Sequence, residues 1–357
     1  MIAKVAQKLN WNEKPIYVGL DVHKESWSIS IYLENQQFYK TFQQGSNASQ
    51  LKKYLDENFP GGKYFCAYEA GFCGFSVQRQ LSQLGVNCIV VNASDIPQTD
   101  KQKRNKRDNV DSKRIGQALS SNQLEAIYIP SQQIEADRRL VRCRKATLKE
   151  VTKIRQRIKS ELHLTGIEIP ANFKNSWSKK FIEWLKELKL TYQSQRDMLN
   201  TLISLLEKIK IELLEVNKKV RKLIQEDRYK QKAEILMSTP GVGCITAITF
   251  LTEIVDMNRF ESFDQLVHYI GLCPTEHSSG SNEQKGNITI RGHRELRSML
   301  IEASWVAIRN DPAMVKFYSE YTSKRTGKRS IIKIARKLLN RIYTNWKLDR
   351  MYTKGIN

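Results

Sequence analysis

The sequence predicts a mixed α/β domain followed by mostly helical structure, and three features of the chain support this prediction. Short apolar β-rich runs alternate with helical patterns over residues 16–119. A long helical pattern then covers residues 134–227, and the last third opens with two helical patterns joined by a glycine-rich turn. A chain of 357 residues can form two or three domains, each with its own core. We predict domains at 1–130, 131–228 and 229–357.

The order of the N-terminal elements predicts a particular sheet. Three β-rich runs, at residues 16–22, 27–33 and 38–42, are joined by short polar turns and predict an antiparallel start. A helix, a strand, a helix, a strand and a helix follow, at residues 47–58, 64–69, 75–84, 87–91 and 110–119. Three meandering strands followed by helix-separated strands are the order of the ribonuclease H fold.

Four acidic residues are spaced as a metal site of that fold requires. Asp21 lies in the first apolar run, and Glu69 ends the fourth strand pattern. Asp108 and Asp111 lie in residues 101–114, which carry seven Lys or Arg and only these two acids. Their i, i+3 spacing gives them one face at the start of a helix. Carboxylates in a basic, phosphate-binding run are explained if they hold divalent cations, because the metal inverts the local charge. Such a site cuts nucleic acid when two cations about 4 Å apart activate the attacking oxygen and stabilise the leaving one.

Each acid also has an ordinary explanation. Asp111 fits a helix first turn, where the helix dipole favours acids, and Glu69 fits the end of a strand. Asp21 is harder to explain as a turn residue, since Asp is disfavoured in strands and costly when buried unpaired. Together, in this fold order, the four acids favour a metal site.

The charge of the chain predicts a polyanionic partner. The formal net charge is +22 and the pI is about 9.7. The excess is clustered, because residues 324–354 contain eleven Lys or Arg and one acid, Asp349. The sequence contains no apolar stretch of about 18 residues, the length needed to span a bilayer. The first residues lack the apolar core of a signal peptide. The six cysteines show no CxxC spacing, which predicts reduced thiols in a cytoplasmic protein without a zinc site.

A heptad pattern runs through the second half of the long helical region. Apolar residues with strict 3,4 spacing extend from Leu199 to Leu223, and the pattern extended upstream includes Leu188, Tyr192 and a polar Gln195. The pattern is typical of a coiled coil that joins copies of the chain. An intramolecular hairpin with residues 137–165 explains it equally well, and both can hold in an oligomer.

The glycine-rich turn Pro240-Gly241-Val242-Gly243 separates two helical patterns. It resembles the helix-hairpin-helix, whose turn amides contact the phosphate backbone. A tight turn between helices that uses glycine for its conformation is the alternative.

Further motifs follow this turn, at Arg259-Phe260, 271–274, Ser279-Gly280 and 288–297. Together with residues 240–243, they resemble the pattern of the insertion-sequence 110 family of bacterial transposases and the related Piv DNA invertases. The four acids match the family's DEDD quartet, so the resemblance covers nearly the whole chain. Two departures are Arg291, where Lys is common, and Ser112, where the family usually has Ala.

The resemblance implies a recombinase with a composite site. A ribonuclease H-like (RuvC-like) domain would supply the four acids and Mg²⁺, and the C-terminal domain a serine nucleophile. Ser279 matches that serine because it directly precedes Gly280; Ser278 and Ser281 are its neighbours. Attack on a DNA phosphate would form a phosphoserine ester that conserves the bond energy for rejoining.

The resemblance also implies a structured guide RNA encoded beside the gene, which pairs with donor and target DNA. Strand exchange joins several double-stranded DNA ends, so a homo-oligomer, a dimer or a tetramer, is expected. The predicted nucleic-acid-binding residues are Lys103, Arg104, Lys106, Arg107, Gly241, Gly243, Arg291, Arg294, Arg297, Lys324, Arg325, Lys328 and Arg329. The alternatives are a Piv-type invertase, a Holliday-junction resolvase that uses water as nucleophile, and a DNA-binding protein with a decayed site. The last alternative is disfavoured because all five catalytic residues are present.

Overall fold

The structure, a computed structural model, describes residues 10–97, 108–173, 176–279, 282–323 and 327–354. At residues 108–109, 275–279, 282–287 and 328 it describes the backbone alone. Contacts within the chain divide it into two compact units, Met1–Ile129 and Pro130–Asn357. The further division of the second unit at residue 228 stays a prediction.

A five-stranded sheet forms the centre of the first unit. Its strands are β1 Pro15–Val22, β2 Ser26–Tyr32, β3 Phe38–Gly45, β4 Lys63–Glu69 and β5 Asn87–Val91. The spatial order is β3-β2-β1-β4-β5, antiparallel among the first three strands along the chain and parallel from β1 through β4 to β5. This mixed α/β arrangement is confirmed and fits the ribonuclease H-like prediction.

Three helices of the first unit are α1 Ala48–Asn58, α2 Ser76–Gln83 and α3 Asp108–Ser120. Alternation along β1 explains how they pack, because successive side chains of a strand point to opposite faces. Ile16, Val18 and Leu20 are fully buried in one core with the apolar residues of α1 and α2. Gly19, between them, faces α3. The helix α3 therefore covers the other face of the sheet.

The second unit is mostly helical. Its helices are α4 Gln132–Leu164, α5 Lys179–Glu187, α6 Gln193–Leu223, α7 Asp227–Met237, α8 Cys244–Ile254, α9 Phe263–Ile270, α10 Arg294–Asn310, α11 Pro312–Thr322 and α12 Gly327–Lys347. Helix α8 is apolar on nearly every side and lies in the largest core, as expected of a helix buried all round. No helix in the described ranges is both long and apolar enough to cross a membrane.

An antiparallel hairpin interrupts the helices, and the prediction of a helical C-terminal domain did not include it. Its strands are β6 Pro274–Ser279 and β7 Asn282–Ile288. The sequence did not reveal it because residues 275–287 are all polar or glycine. Strand patterns are recognised by alternating apolar residues, and these are missing here.

The heptad residues of α6 pack against α4 of the same chain. Leu206 and Val220 are fully buried, and the Arg144 side chain of α4 donates a hydrogen bond of 2.6 Å to the Asn217 side chain of α6. Leu199, near the start of α6, shares a core with Leu162, near the end of α4. The two helices are therefore antiparallel, and the intramolecular hairpin is confirmed. A coiled coil between copies stays a prediction.

The upstream extension of the heptad is wrong. Leu188 directly follows α5 and Tyr192 directly precedes α6, so neither continues the heptad helix. The Gln195 side chain accepts a hydrogen bond of 3.3 Å from the Tyr192 backbone amide. Gln195 is therefore a capping residue at the start of α6 and not a polar residue in a coiled-coil interface. Such a cap is useful because the first amides of a helix lack partners within it. The predicted helical region is consequently interrupted at residues 188–192.

Candidate active site

Asp21 and Glu69 lie side by side at the same edge of the sheet. Leu20 of β1 and Tyr68 of β4 are in parallel register, and the two acids come next in each strand. Neighbouring strands lie about 4.8 Å apart. Asp21 shares its face of the sheet with Gly19, and Glu69 shares its face with Ala67, which packs in a core with Ile115 of α3. Both acids are therefore on the α3 side.

Helix α3 crosses β1 at very short distance and directs its first turn toward Asp21. A Cβ added to Gly19 would lie 2.1 Å from the Ser112 carbonyl oxygen and 2.2 Å from the Gly116 amide nitrogen. A Cβ added to Gly116 would lie 2.9 Å from the ring of Tyr32, a residue of β2 paired with the start of β1. From Gly116 back to Ser112, α3 therefore runs in the same direction as β1 does from its start toward Asp21. The first turn, with Asp108 and Asp111, extends toward the Asp21 end.

Two of the described acids of this site, Asp111 and Asp21, have cationic or ionisable neighbours. The Asp111 carboxylate lies 3.1 Å from a guanidinium nitrogen of Arg114, whose side chain is 11% exposed. Asp21 lies 3.3 Å from Nε2 of His23. Glu69 is exposed. The Asp108 side chain is outside the described residues, and so are Lys103, Arg104, Lys106 and Arg107.

Carboxylate oxygens are the donors that Mg²⁺ prefers, so the chemistry of the four acids fits this ion. Among the side chains that the structure describes, however, no three His, Cys, Asp or Glu are grouped closely enough to hold a metal. Because Asp108 is not in that set, the complete quartet stays a prediction. The fold places the ends of the two strands that carry Asp21 and Glu69 beside the start of the helix that carries Asp108 and Asp111.

Ser279 is the last residue of β6, at the end of the β6–β7 hairpin. Its backbone is paired with Asn282, while its side chain, Gly280 and Ser281 lie outside the described residues. The base of the hairpin is held by Arg297, whose Nη1 donates to the carbonyl oxygens of Gly271, at 3.0 Å, and Thr289, at 2.6 Å. Arg297 was predicted to bind nucleic acid, but its Nη1 atom stabilises the base of the hairpin.

A buried ionic cluster next to this hairpin base was missed by the sequence analysis. Glu253 is 2% exposed and accepts two hydrogen bonds from Arg142, at 2.7 and 2.8 Å. Nε2 of His293 lies 3.3 Å away, while Nδ1 of the same ring accepts from the Leu296 amide at the start of α10. Burial raises the pKa of Glu253, but the hydrogen bonds from His293 and Arg142 outweigh it and lower the pKa to about 2. The only sequence clue was an acid at the end of an apolar helix.

The two glycines of the predicted helix-hairpin-helix turn have different surroundings. Gly241 has a φ of +90°, and an added Cβ would lie 2.1 Å from the Ala303 carbonyl oxygen of α10. Gly243 precedes α8, is exposed, and an added Cβ would contact nothing within 4 Å. Gly241 is therefore required for helix packing, whereas Gly243 has open space around it, and its contact with the phosphate backbone stays a prediction.

The remaining predicted contacts with nucleic acid are partly described. Arg291 and Arg294, which flank His293, are exposed, and so is Arg329 on α12. Lys324 and Arg325 lie outside the described residues, as does the side chain of Lys328.

Two family models match the chain. Residues 18–167 match a model of DEDD transposases that is described as Transposase, and residues 233–319 match one described as Transposase IS116/IS110/IS902 family. The first range contains the four acids and the second contains Ser279. Both halves of the predicted site thus fall within matched regions.

Individual proteins similar to this chain include transposases and a gene-inverting protein. The chain is 32% identical to the y4qE protein of Sinorhizobium fredii over 244 residues, which are 68% of this chain and 58% of that protein. It is 28% identical to the transposase for insertion sequence element IS1533 of Leptospira borgpetersenii over 300 residues, 82% of this chain and 85% of that protein. It is 36% identical to the pilin gene-inverting protein of Moraxella bovis over 129 residues, 35% of this chain and 40% of that protein.

Proposed function

Because the chain belongs to the IS116/IS110/IS902 family of transposases, we propose that it cuts and rejoins double-stranded DNA at the ends of an insertion sequence and at a target. The observation that carries this proposal is the juxtaposition of Asp21 and Glu69 on neighbouring parallel strands, beneath the helix that begins with Asp108 and Asp111. In this proposal, the start of that helix and the ends of the two strands supply four carboxylates to one edge of the sheet.

Those four carboxylates hold Mg²⁺ in this proposal. The bound ion would activate the attacking oxygen of a phosphoryl transfer and stabilise the leaving oxygen. The protein's own contribution is to fix the acids on rigid elements. Arg114 beside Asp111 reduces the repulsion between the acids and the DNA phosphates.

Ser279 is the proposed nucleophile. Its hydroxyl oxygen forms a bond to a DNA phosphorus, and the bond from that phosphorus to one sugar oxygen breaks. The serine proton ends, in the net reaction, on the released sugar hydroxyl. The phosphoserine ester keeps the bond energy, so the reverse attack by another sugar hydroxyl rejoins DNA without ATP. Arg297 supports this step by bonding the two carbonyls at the hairpin base.

The positive charge of the chain fits two nucleic-acid partners. Arg291 and Arg294 follow the hairpin and are exposed, as phosphate-binding residues must be. We propose that a structured guide RNA encoded beside the gene pairs with donor and target DNA. The net charge of +22 is compatible with holding the backbones of both RNA and DNA.

A homo-oligomer, a dimer or a tetramer, is part of the proposal, because strand exchange joins more than one DNA end and each end needs a nucleophile. The seam of α6 is filled by α4 of the same chain. Ile211 and Leu214, each 60% exposed on α6, remain for contact with a second copy. Light scattering on the full chain measures the mass directly.

Site-specific DNA inversion is a second candidate function. The similarity to pilin gene-inverting proteins favours it. An invertase would use the same acids and the same serine, so no residue named here separates the two. Sequencing the DNA that flanks the gene does, since a transposase predicts element ends and a non-coding RNA beside it.

Substituting the acids one at a time tests the metal-dependent reaction. Asp21→Asn, Glu69→Gln, Asp108→Asn and Asp111→Asn should each abolish strand cleavage in Mg²⁺ and leave DNA binding largely intact, because the acids hold metal whereas Lys and Arg hold phosphates. Cleavage is measured on a labelled duplex and binding by mobility shift. Full activity in two of the four variants would contradict the site.

A further inference from the structure

Four hydroxyl groups form a hydrogen-bonded chain between the sheet and α3. The Thr41 hydroxyl of β3 lies 2.8 Å from that of Ser30, Ser30 lies 2.9 Å from Ser112, and Ser112 lies 3.0 Å from Ser28. Ser28, Ser30 and Ser112 are each no more than 1% exposed. A buried hydroxyl is costly without a partner, and here the Ser112 hydroxyl has two.

The arrangement fixes α3 in two directions. Ser28 and Ser30 are two residues apart on β2, so their side chains point to the same face about 7 Å apart. The Ser112 hydroxyl bridges them. Sliding α3 along the strand, or rotating it by one residue, would break at least one of the two bonds. The apolar packing around α3 has no such directionality, and the contact between Gly19 and Gly116 sets only how closely the helix approaches.

The hydroxyl chain lies directly beside the acids. Ser28 is paired with Asp21, and Ser30 with Gly19, in the antiparallel register of β1 and β2. Directly opposed residues of antiparallel strands share a face. Ser112 follows Asp111 in the chain. The same three serines therefore connect the strand that carries Asp21 to the helix turn that carries Asp111.

We propose that Ser112 is a positioning residue for the metal site: its bonds to Ser28 and Ser30 fix the first turn of α3 relative to Asp21 and thereby set the affinity for divalent cations. This inference rests on the proposed function. Losing a group that orients metal ligands costs 10- to 100-fold in metal affinity. Because Ser112 acts through the helix rather than by touching a ligand, we expect about tenfold weaker binding.

The test separates positioning from stability. Binding of Mn²⁺, as a probe for Mg²⁺, is measured by electron paramagnetic resonance on the full chain without DNA, and thermal unfolding is measured in parallel. Ser112→Ala removes one partner from each of two buried hydroxyls, so it should lower the melting temperature by several degrees and weaken Mn²⁺ binding. The triple variant Ser28→Ala/Ser30→Ala/Ser112→Ala removes the three buried hydroxyls together and takes a partner only from the half-buried Thr41 hydroxyl of this hydrogen-bonded chain, so it should cost less stability than Ser112→Ala.

The proposal predicts that this triple variant melts at a higher temperature than Ser112→Ala and still binds Mn²⁺ about tenfold more weakly than the wild type. The matched control is Ser304→Ala, which removes another fully buried hydroxyl, bonded to the Leu300 carbonyl of its own helix, and should leave Mn²⁺ binding unchanged. Wild-type affinity in the triple variant would overturn the positioning role. Equal Mn²⁺ binding by the wild type and Asp21→Asn would instead contradict the metal site on which it rests.

Discussion

At the residue scale, two buried carboxylates show how the second unit accommodates charge. Glu253 is bonded by Arg142 and lies within 3.5 Å of Arg138. Asp311 is 1% exposed and is bonded by Arg341 and by the hydroxyl of Tyr352 near the end of the chain. Each carboxylate joins elements that are distant in sequence, so each contributes to the positions of helices rather than to chemistry.

Acid should destabilise the protein through Glu253. Its folded-state pKa of about 2 lies below the ordinary value of 4.5, so the unfolded state takes up the proton first. The stabilisation is fully present above pH 4.5 and is lost as pH falls toward 2, by an amount on the order of 3 kcal/mol. Thermal unfolding between pH 5 and 2.5 should therefore show a flatter pH dependence for Glu253→Gln than for the wild type. The exposed Glu302→Gln should keep the wild-type slope, and a Glu253→Gln slope as steep as the wild-type slope would refute the assignment.

Single residues differ in how far the sequence revealed them. Asp21 could be singled out because an acid inside an apolar strand is unfavourable without a purpose. The roles of Arg297 and Glu253 could not be predicted, because they depend on partners far away along the chain, such as Gly271 for Arg297 and Arg142 for Glu253. A charged residue shows its type in the sequence, but its partner appears only when the chain is folded.

At the element scale, the approach of α3 to β1 depends on Gly19. Gly19→Ala should displace α3 and cost about 2 kcal/mol or more, because the added methyl would overlap backbone atoms of Ser112 and Gly116 that cannot rotate away. Thermal and denaturant unfolding of the full chain measure this loss. Gly45→Ala is the control, since its added methyl would only meet the flexible Gln50 side chain at 3.6 Å. Equal stability of the two variants would show that α3 does not need this contact.

The elements of the first unit were predictable because each has a clear periodicity. Alternation along β1 and the apolar spacing of α1 were enough to locate their ends within a few residues. The β6–β7 hairpin has no apolar alternation, and the heptad of α6 does not specify whether its partner is α4 or another chain. The periodicity of apolar residues shows that one face of an element is buried. Only the tertiary structure shows which other element that face packs against.

At the scale of the whole molecule, the net charge of +22 should make binding strongly dependent on salt. Neutralising Lys324, Arg325, Lys328 and Arg329 to Gln should weaken DNA binding and flatten the slope of log affinity against log salt, by roughly 0.7–0.9 for each DNA phosphate that the variant no longer neutralises. Binding is titrated across a series of salt concentrations. Glu302→Gln, which removes an acid instead, is the control, and an unchanged slope in the fourfold variant would mean that these residues do not bind phosphate.

The central claim, that Ser279 forms a covalent bond to DNA, is tested most directly by mapping the adduct. The full chain is incubated with DNA and Mg²⁺, denatured and digested, and the DNA-linked peptide is identified by mass spectrometry. We predict an adduct on Ser279 that disappears in Ser279→Ala and in Asp21→Asn but persists in Ser278→Ala and Ser281→Ala. An adduct on another residue, or hydrolytic cleavage undiminished in Ser279→Ala, would contradict this claim and indicate a nuclease that uses water.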